Sequence, residues 1–282
     1  MTRISLARRS GEDSCLFYDY EQLLALYEKK AREMKKDGQE QMGKKIASVY
    51  LERGNAYGGR GMYEKALRDF DQAILSLIPY PSLAYSELAA SAYGSKGNIL
   101  MKQKKYRDAL HHFTESVKIR EKLYESKEPE AGVPLARSYG NRGAALDVLG
   151  RDEEAFEAYQ KAIAIRLEVF DRTSFSQAFG LAQVYLNRGI LNGKHGKIME
   201  EIMDYTHGIN LLLPKLSKSS QKGLVLCERF YSARKTGYMK LGNSHAVQED
   251  EDKLKKLHRL MNKTSSQKEG KSVKTLDGTR QE

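Results

Sequence analysis

The sequence predicts an all-α fold: a right-handed α-solenoid of antiparallel helix pairs. Three observations lead there. A tyrosine-led motif recurs five times, a small–aromatic–small motif follows it at a fixed distance, and the composition suits helix. Among 282 residues there are 5 Pro and no Trp, with apolar residues at 40% and charged residues at 30%. A chain of this length fits one or two ordinary domains or one elongated repeat array. Few prolines and many Ala, Leu, Lys and Glu favour helix. The frequent glycines must then occupy special places, because Gly inside a helix costs roughly 1 kcal/mol against Ala.

The first motif reads Tyr50-Leu-Glu-Arg53-Gly54, Tyr93-Gly-Ser-Lys96-Gly97, Tyr139-Gly-Asn-Arg142-Gly143, Tyr185-Leu-Asn-Arg188-Gly189 and Tyr231-Ser-Ala-Arg234-Lys235. The tyrosines are spaced by 43, 46, 46 and 46 residues. The second motif is Ala66, Phe70, Ala73, then Ala109, Phe113, Ser116, then Ala155, Tyr159, Ala162, and a weaker Glu201, Tyr205, Gly208. Its i, i+4, i+7 spacing places each set on one helical face. Gly61, Gly150 and Gly196 fall between the two motifs, where a helix–helix turn needs positive φ. Each unit is thus two short amphipathic helices that cannot bury their faces alone, and stacking supplies the core. The mid-helix Gly is expected to admit a neighbouring helix closely. The Ala of the second helix is expected to face it, and Phe70, Phe113, Tyr159 and Tyr205 to fill the wedge between successive pairs.

In chain order, residues 1–46 are an N-terminal segment with one amphipathic helix over Asp19 to Met34, carrying Leu23, Leu24, Leu26 and Tyr27. Stepping back 43 residues puts Gly11 and Tyr27 at signature positions, as in a decayed first repeat. Residues 47–261 hold the five repeats and a capping helix from Glu249 to Met261, with Leu254, Leu257 and Met261 on one side. A polar outer face suits a cap. The short stretches Pro79 to Pro81 and Pro129 to Pro134 are connections between repeats. Residues 262–282 are polar and read as a disordered tail.

The stretch from Tyr50 through Gly54, Tyr57, Gly61, Tyr63, Ala66, Phe70 and Ala73 to Pro79 resembles the tetratricopeptide repeat family. The resemblance covers roughly residues 47–245 in five copies, the last degenerate. Two departures mark it as a long-repeat variant. The unit is 43 to 46 residues where the family has about 34, as in the long-repeat members similar to kinesin light chain. Arg or Lys also precedes Gly where the family prefers Leu. That recurring cation is expected to be structural, crossing to an acidic residue on a neighbour; a ligand role is the second reading.

No catalytic constellation stands out, so the protein is expected to be no enzyme, with no cofactor and no metal site. Ser219 to Lys222 and Lys235-Thr-Gly237 imitate two penicillin-binding-enzyme motifs but are 16 residues apart on helical segments. Gly58-Gly-Arg-Gly61 lacks the Gly-Lys-Ser/Thr of a phosphate-cradling loop. His111 and His112 lie within a second helix and read as packing residues.

The informative polar residues are Asn55, Asn98, Asn141 and Asn187 in the first helices. Asn is a poor helix-interior residue, because its amide competes with the backbone. The resemblance implies that they line a concave groove and hold an extended peptide by its backbone amides. Inter-helix hydrogen bonding that fixes the stacking is the alternative. Arg137 and Arg229 are basic groove candidates. Gly94, Gly140 and Leu186 stand where a carboxylate clamp wants Lys, which argues against a carboxylate-clamp co-chaperone.

The expected function is a cytoplasmic scaffold or adaptor that binds a peptide or helix of a partner protein. The net charge of +11 sits mainly at the C-terminal end, where residues 215–282 hold 16 Lys and Arg against 8 Asp and Glu. The alternative partner is therefore nucleic acid or another polyanion, bound through the basic C-terminal third; a third reading is an accessory segment of a larger enzyme. Cys15 and Cys227 form no metal or redox pair and fit a reducing compartment. No membrane span is expected, since no run approaches about 18 apolar residues.

Overall fold

The computed structural model describes residues 13–80, 86–126, 131–216 and 221–276. Among them are eleven α-helices and one 3-10 turn, and no strand. The helices are α1 Asp13–Glu33, α2 Lys36–Gly59, α3 Tyr63–Leu75, α4 Glu87–Lys102, α5 Tyr106–Glu125, α6 Gly132–Val148, α7 Asp152–Glu168, α8 Phe175–Lys194, α9 Ile198–Leu212, α10 Gln221–Lys240 and α11 Ser244–Leu276. Two compact units divide the chain, Met1–Ala155 and Phe156–Glu282.

In the first unit α2 pairs with α3 and α4 with α5, and α3 and α4 also pack on each other. In the second, α8 pairs with α9, α9 packs on α10, and α10 pairs with α11. The signature tyrosines lie within α2, α4, α6, α8 and α10, as the repeat spacing predicts; Tyr139, Tyr185 and Tyr231 are buried, and Tyr50 and Tyr93 half-buried. The turns inside the pairs hold Gly61 (φ 77°), Gly150 (φ 72°), Gly196 (φ 70°) and Gly242 (φ 69°), the left-handed conformation that closes a helix C-terminus. In the second pair Lys104 takes that place at φ 61°, a conformation rarely adopted by a residue with a Cβ.

The mid-helix glycines have a direct steric cause. A Cβ on Gly54 would lie 2.6 Å from the Phe70 ring, one on Gly97 2.6 Å from Phe113, and one on Gly189 2.6 Å from Tyr205. The aromatic ring of the second helix therefore occupies the space where a first-helix side chain would begin, and Gly admits it. Ala66 lies 3.8 Å from where a Gly58 Cβ would be. The rings also reach the next pair: Phe70 clusters with Ile99 of α4, and Phe113 with Ala145 of α6. In the fourth repeat Glu201 stands at the Ala position, and its carboxylate lies 2.6 Å from where a Gly193 Cβ would sit.

At the N-terminal end α1 buries Leu16, Tyr20 and Leu24 against Met42, Ile46 and Val49 of α2. The expected signature ring, Tyr27, is only half-buried, and Leu26 is exposed. Tyr20 takes the buried place because α1 docks through its earlier turns; Gly11 lies outside the described residues. Residue 46 falls inside α2, which starts at Lys36. Residue 262 likewise falls inside α11, whose backbone stays helical to Leu276. That stretch lacks Pro and is rich in Lys and Ser with one Gly, so nothing local stops the helix. Residues 81–85, 127–130 and 277–282, which include parts of the two expected connections and the end of the expected tail, lie outside the described residues.

Candidate functional site

The recurring cation of the first motif is structural in three repeats. Arg53 holds Asp69 with two hydrogen bonds of 2.7 and 2.8 Å. Arg188 holds Asp204 at 2.6 and 3.0 Å, and Arg234 holds Asp250 at 2.6 and 3.1 Å. Each acid lies sixteen residues after its cation, on the second helix of the same pair. Bidentate guanidinium–carboxylate geometry is the strong form of this contact. The aspartates are almost wholly buried, at 4%, 2% and 1% exposure. Tyr50, Tyr185 and Tyr231 place their rings beside the guanidinium at 5.4, 5.6 and 5.4 Å. The hydrogen bond to Asp69 raises the Arg53 pKa. Arg234 is raised as well: burial is the largest influence and opposes the rise, and the bond to Asp250 together with the charges of Asp250, Tyr238 and Tyr231 outweighs it.

The two middle repeats lack the acid, because His112 and Ala158 stand at the sixteen-residue place. Lys96 turns back to Asp71 of the preceding pair. The Nε of Arg142 is buried without a hydrogen-bond partner.

A second polar cluster was not legible in the repeat. Arg120 of α5 is 6% exposed. It donates to both carboxylate oxygens of Glu87 and to Ser91 on α4, and to Ser138 on α6 at 2.6 Å. Ser116 at the small position of the second motif joins it, bonding Ala90 O at 2.8 Å and Ser138 at 2.9 Å. Arg120 thereby ties three helices of the first unit together. Its register mate Arg166, 46 residues on, is likewise buried, packed where a Gly180 Cβ would sit 2.7 Å away. The signal in the sequence was that 46-residue recurrence of an Arg on the apolar side of a second helix.

Of the groove candidates, one pair is brought together. Asn141 Nδ2 of α6 donates to Asn98 Oδ1 of α4 at 3.3 Å, at the surface. Arg137 lies one turn before Asn141 and is exposed. Asn55 is exposed on α2 and, with Leu16, Glu52, Ala56 and Arg60, lines a shallow depression of about 420 Å³ beside α1. Asn187 is half-buried on α8 and Arg229 exposed on α10, both in the second unit. Among the described residues no group of three or more His, Cys, Asp or Glu is placed to hold a metal, and no helix is long and apolar enough to cross a membrane.

These features define an all-α repeat protein built from stacked helix pairs. Residues 88–168 match the tetratricopeptide repeat family, in keeping over that stretch with the resemblance drawn from the motifs. Solved structures agree at the level of fold. BtubC from P. vanneervenii is similar with 15% identity and a TM-score of 0.67, over 86% of this chain and 92% of that one. Tetratricopeptide-like repeats of a protein assigned to the kinesin light chains in Podosopora anserina are similar with 14% identity and a TM-score of 0.60, over 79% and 98%. The apo form of RapI is similar with 14% identity and a TM-score of 0.60, over 93% and 97%. No curated protein matches the sequence.

Proposed function

We propose that the protein is a non-catalytic scaffold whose first-helix face in the first unit binds an extended peptide of a partner protein. The observation that carries this reading is the Asn98–Asn141 pair on adjacent first helices. Their mutual bond uses one donor of Asn141 and one lone pair of Asn98. An Asn side chain has two donors and one oxygen acceptor, so a donor on Asn98 and an acceptor on Asn141 remain. A peptide backbone in extended form offers the complementary pair. The bond between them lies in water at 3.3 Å, where it contributes little to stacking. Arg137 flanks the pair and favours a partner with a carboxylate nearby. Asn55, Asn187 and Arg229 extend the same reading to other first helices. The two unpaired cysteines, Cys15 and Cys227, fit action in a reducing compartment, taken as the cytoplasm.

The test is the double change Asn98→Ala with Asn141→Ala. A partner captured by pull-down from a lysate is titrated by calorimetry against both forms. Two lost hydrogen bonds at roughly 0.5–1.5 kcal/mol each predict about tenfold weaker binding, with helicity unchanged. Unaltered affinity assigns the asparagines to stacking and removes them from the site.

A further inference from the structure

The last helix carries a charge pattern that the helix pairs do not use. From residue 253 to 276 it holds seven Lys and one Arg against a single acid, Glu269. The acids Glu249, Asp250, Glu251 and Asp252 come before, and two of them are occupied: Asp250 by Arg234 and Glu251 by Lys235. The helix is anchored by Asp250, Leu254 and Leu257, all buried, with Met261 against the same core. At about 100° of turn per residue these four share one side. On the opposite side the register places Lys255 and Arg259 one four-residue step apart, with Lys256 beside them. Lys255, Lys256 and Arg259 are exposed. Lys255 meets Asp252 at 3.2 Å, where both side chains are more than half exposed, and such a contact exchanges readily with solvent. Four residues rise about 6 Å, so the cations form a ridge along a helix that the core holds still.

We infer that this ridge binds the phosphodiester backbone of duplex nucleic acid without reading its sequence. A regular line of cations matches a polymer whose anions are themselves regular, and releases its condensed counterions. Residues 244–282 contain no Phe, Tyr or Trp. The helix therefore offers no platform for stacking unpaired bases and no aromatic anchor for a bilayer interface. Leu254, Leu257 and Met261 are committed to the core, so they are not free to enter lipid as an interfacial helix requires.

The full-length chain is titrated against short labelled DNA and RNA duplexes by fluorescence anisotropy across salt from about 50 to 200 mM. Affinity is expected to fall steeply with salt and to be alike for unrelated sequences. The variant Lys255→Gln, Lys256→Gln, Arg259→Gln is expected to reduce the slope of log K against log salt by about 2.7, with circular dichroism unchanged. A control variant, Lys102→Gln, Lys104→Gln, Lys105→Gln, removes equal charge from the first unit and is expected to bind as the parent does. Preference for one duplex assigns the source and supports the ridge. No binding at low salt, equal loss in the control variant, or equally tight binding of poly-glutamate or phosphatidylserine vesicles overturns the inference.

Discussion

The first two helix pairs share their packing and differ in their charge. In both, a Cβ added to a glycine of the first helix would meet an aromatic ring of the second at the same 2.6 Å. In the first pair Arg53 then reaches Asp69, buried and doubly bonded. In the second pair His112 stands at the acid's place, stacked on Tyr93 with ring centroids 5.9 Å apart, and its Nδ1 is buried without a hydrogen-bond partner. Lys96 goes instead to Asp71 of the pair before. Shape therefore sets how two helices of a pair meet, while the buried ion pair is an addition that a copy can lose. The first, fourth and fifth copies retain it; the second and third do not.

The sharpest way to break that comparison is to make the first pair resemble the second. Asp69→Ala leaves the Arg53 guanidinium, whose side chain is only 14% exposed, without its carboxylate. Removing one partner of a buried pair costs about 3–5 kcal/mol. His112→Ala in the second pair removes no charge partner and is expected to cost about 1–2 kcal/mol, the loss of packed ring area. Urea unfolding of the two variants compares them directly. Equal costs would mean that the ion pair adds nothing beyond packing.

The shared element predicts the opposite outcome, equality. Gly54→Leu and Gly97→Leu each drive a side chain into a buried ring, and overpacking of this kind costs about 1–3 kcal/mol or more. Thermal melts should fall by similar amounts in both. A melting temperature unchanged in either variant would show that its ring moves aside freely, and that the common packing is not what fixes the pair.

The repeat, the helix pairs and the turn glycines were legible because each rests on spacing within one or two helices. Gly54, Phe70 and Gly61 recur in register and carry their own steric reason. The ion pairs were half legible. The cation announced itself by sitting next to Gly, but its acid is sixteen residues away on another helix, and a pair of positions that fails in two copies leaves no clean period. Arg120 was hidden for a different reason: its partners Glu87, Ser91 and Ser138 come from two other helices, so only folding brings them to one point. In the candidate site, the sequence placed Asn98 and Asn141 on neighbouring first helices, and the offset that lets them touch follows from the packing. Composition alone reads residues 262–276 as a polar tail, whereas the backbone of α11 continues past the seam at Leu254 and Leu257 to Leu276.

The smallest expected effect belongs to His112 and sharpens the comparison through pH. Burial lowers its pKa from 6.5 to about 4, with Lys96 and His111 adding to the shift and Asp71 and Asp108 opposing it. A histidine whose folded pKa is depressed binds its proton more readily in the unfolded chain. Its contribution to stability is therefore intact above the unfolded value and is lost as pH falls through it, over the window from 6.5 down to about 4. Between pH of about 7.5 and about 5.5 that loss is on the order of 1 kcal/mol. The first pair has no counterpart, since Asp69 occupies the same place. His112→Gln, which cannot take up a proton, should remove that part of the acid sensitivity while leaving the rest. Urea midpoints measured at both pH values for the parent and the variant give the difference of differences. If the two forms lose stability equally on acidification, His112 is not held neutral by its surroundings, and the second pair has found some other anion to stand where Asp69 stands in the first.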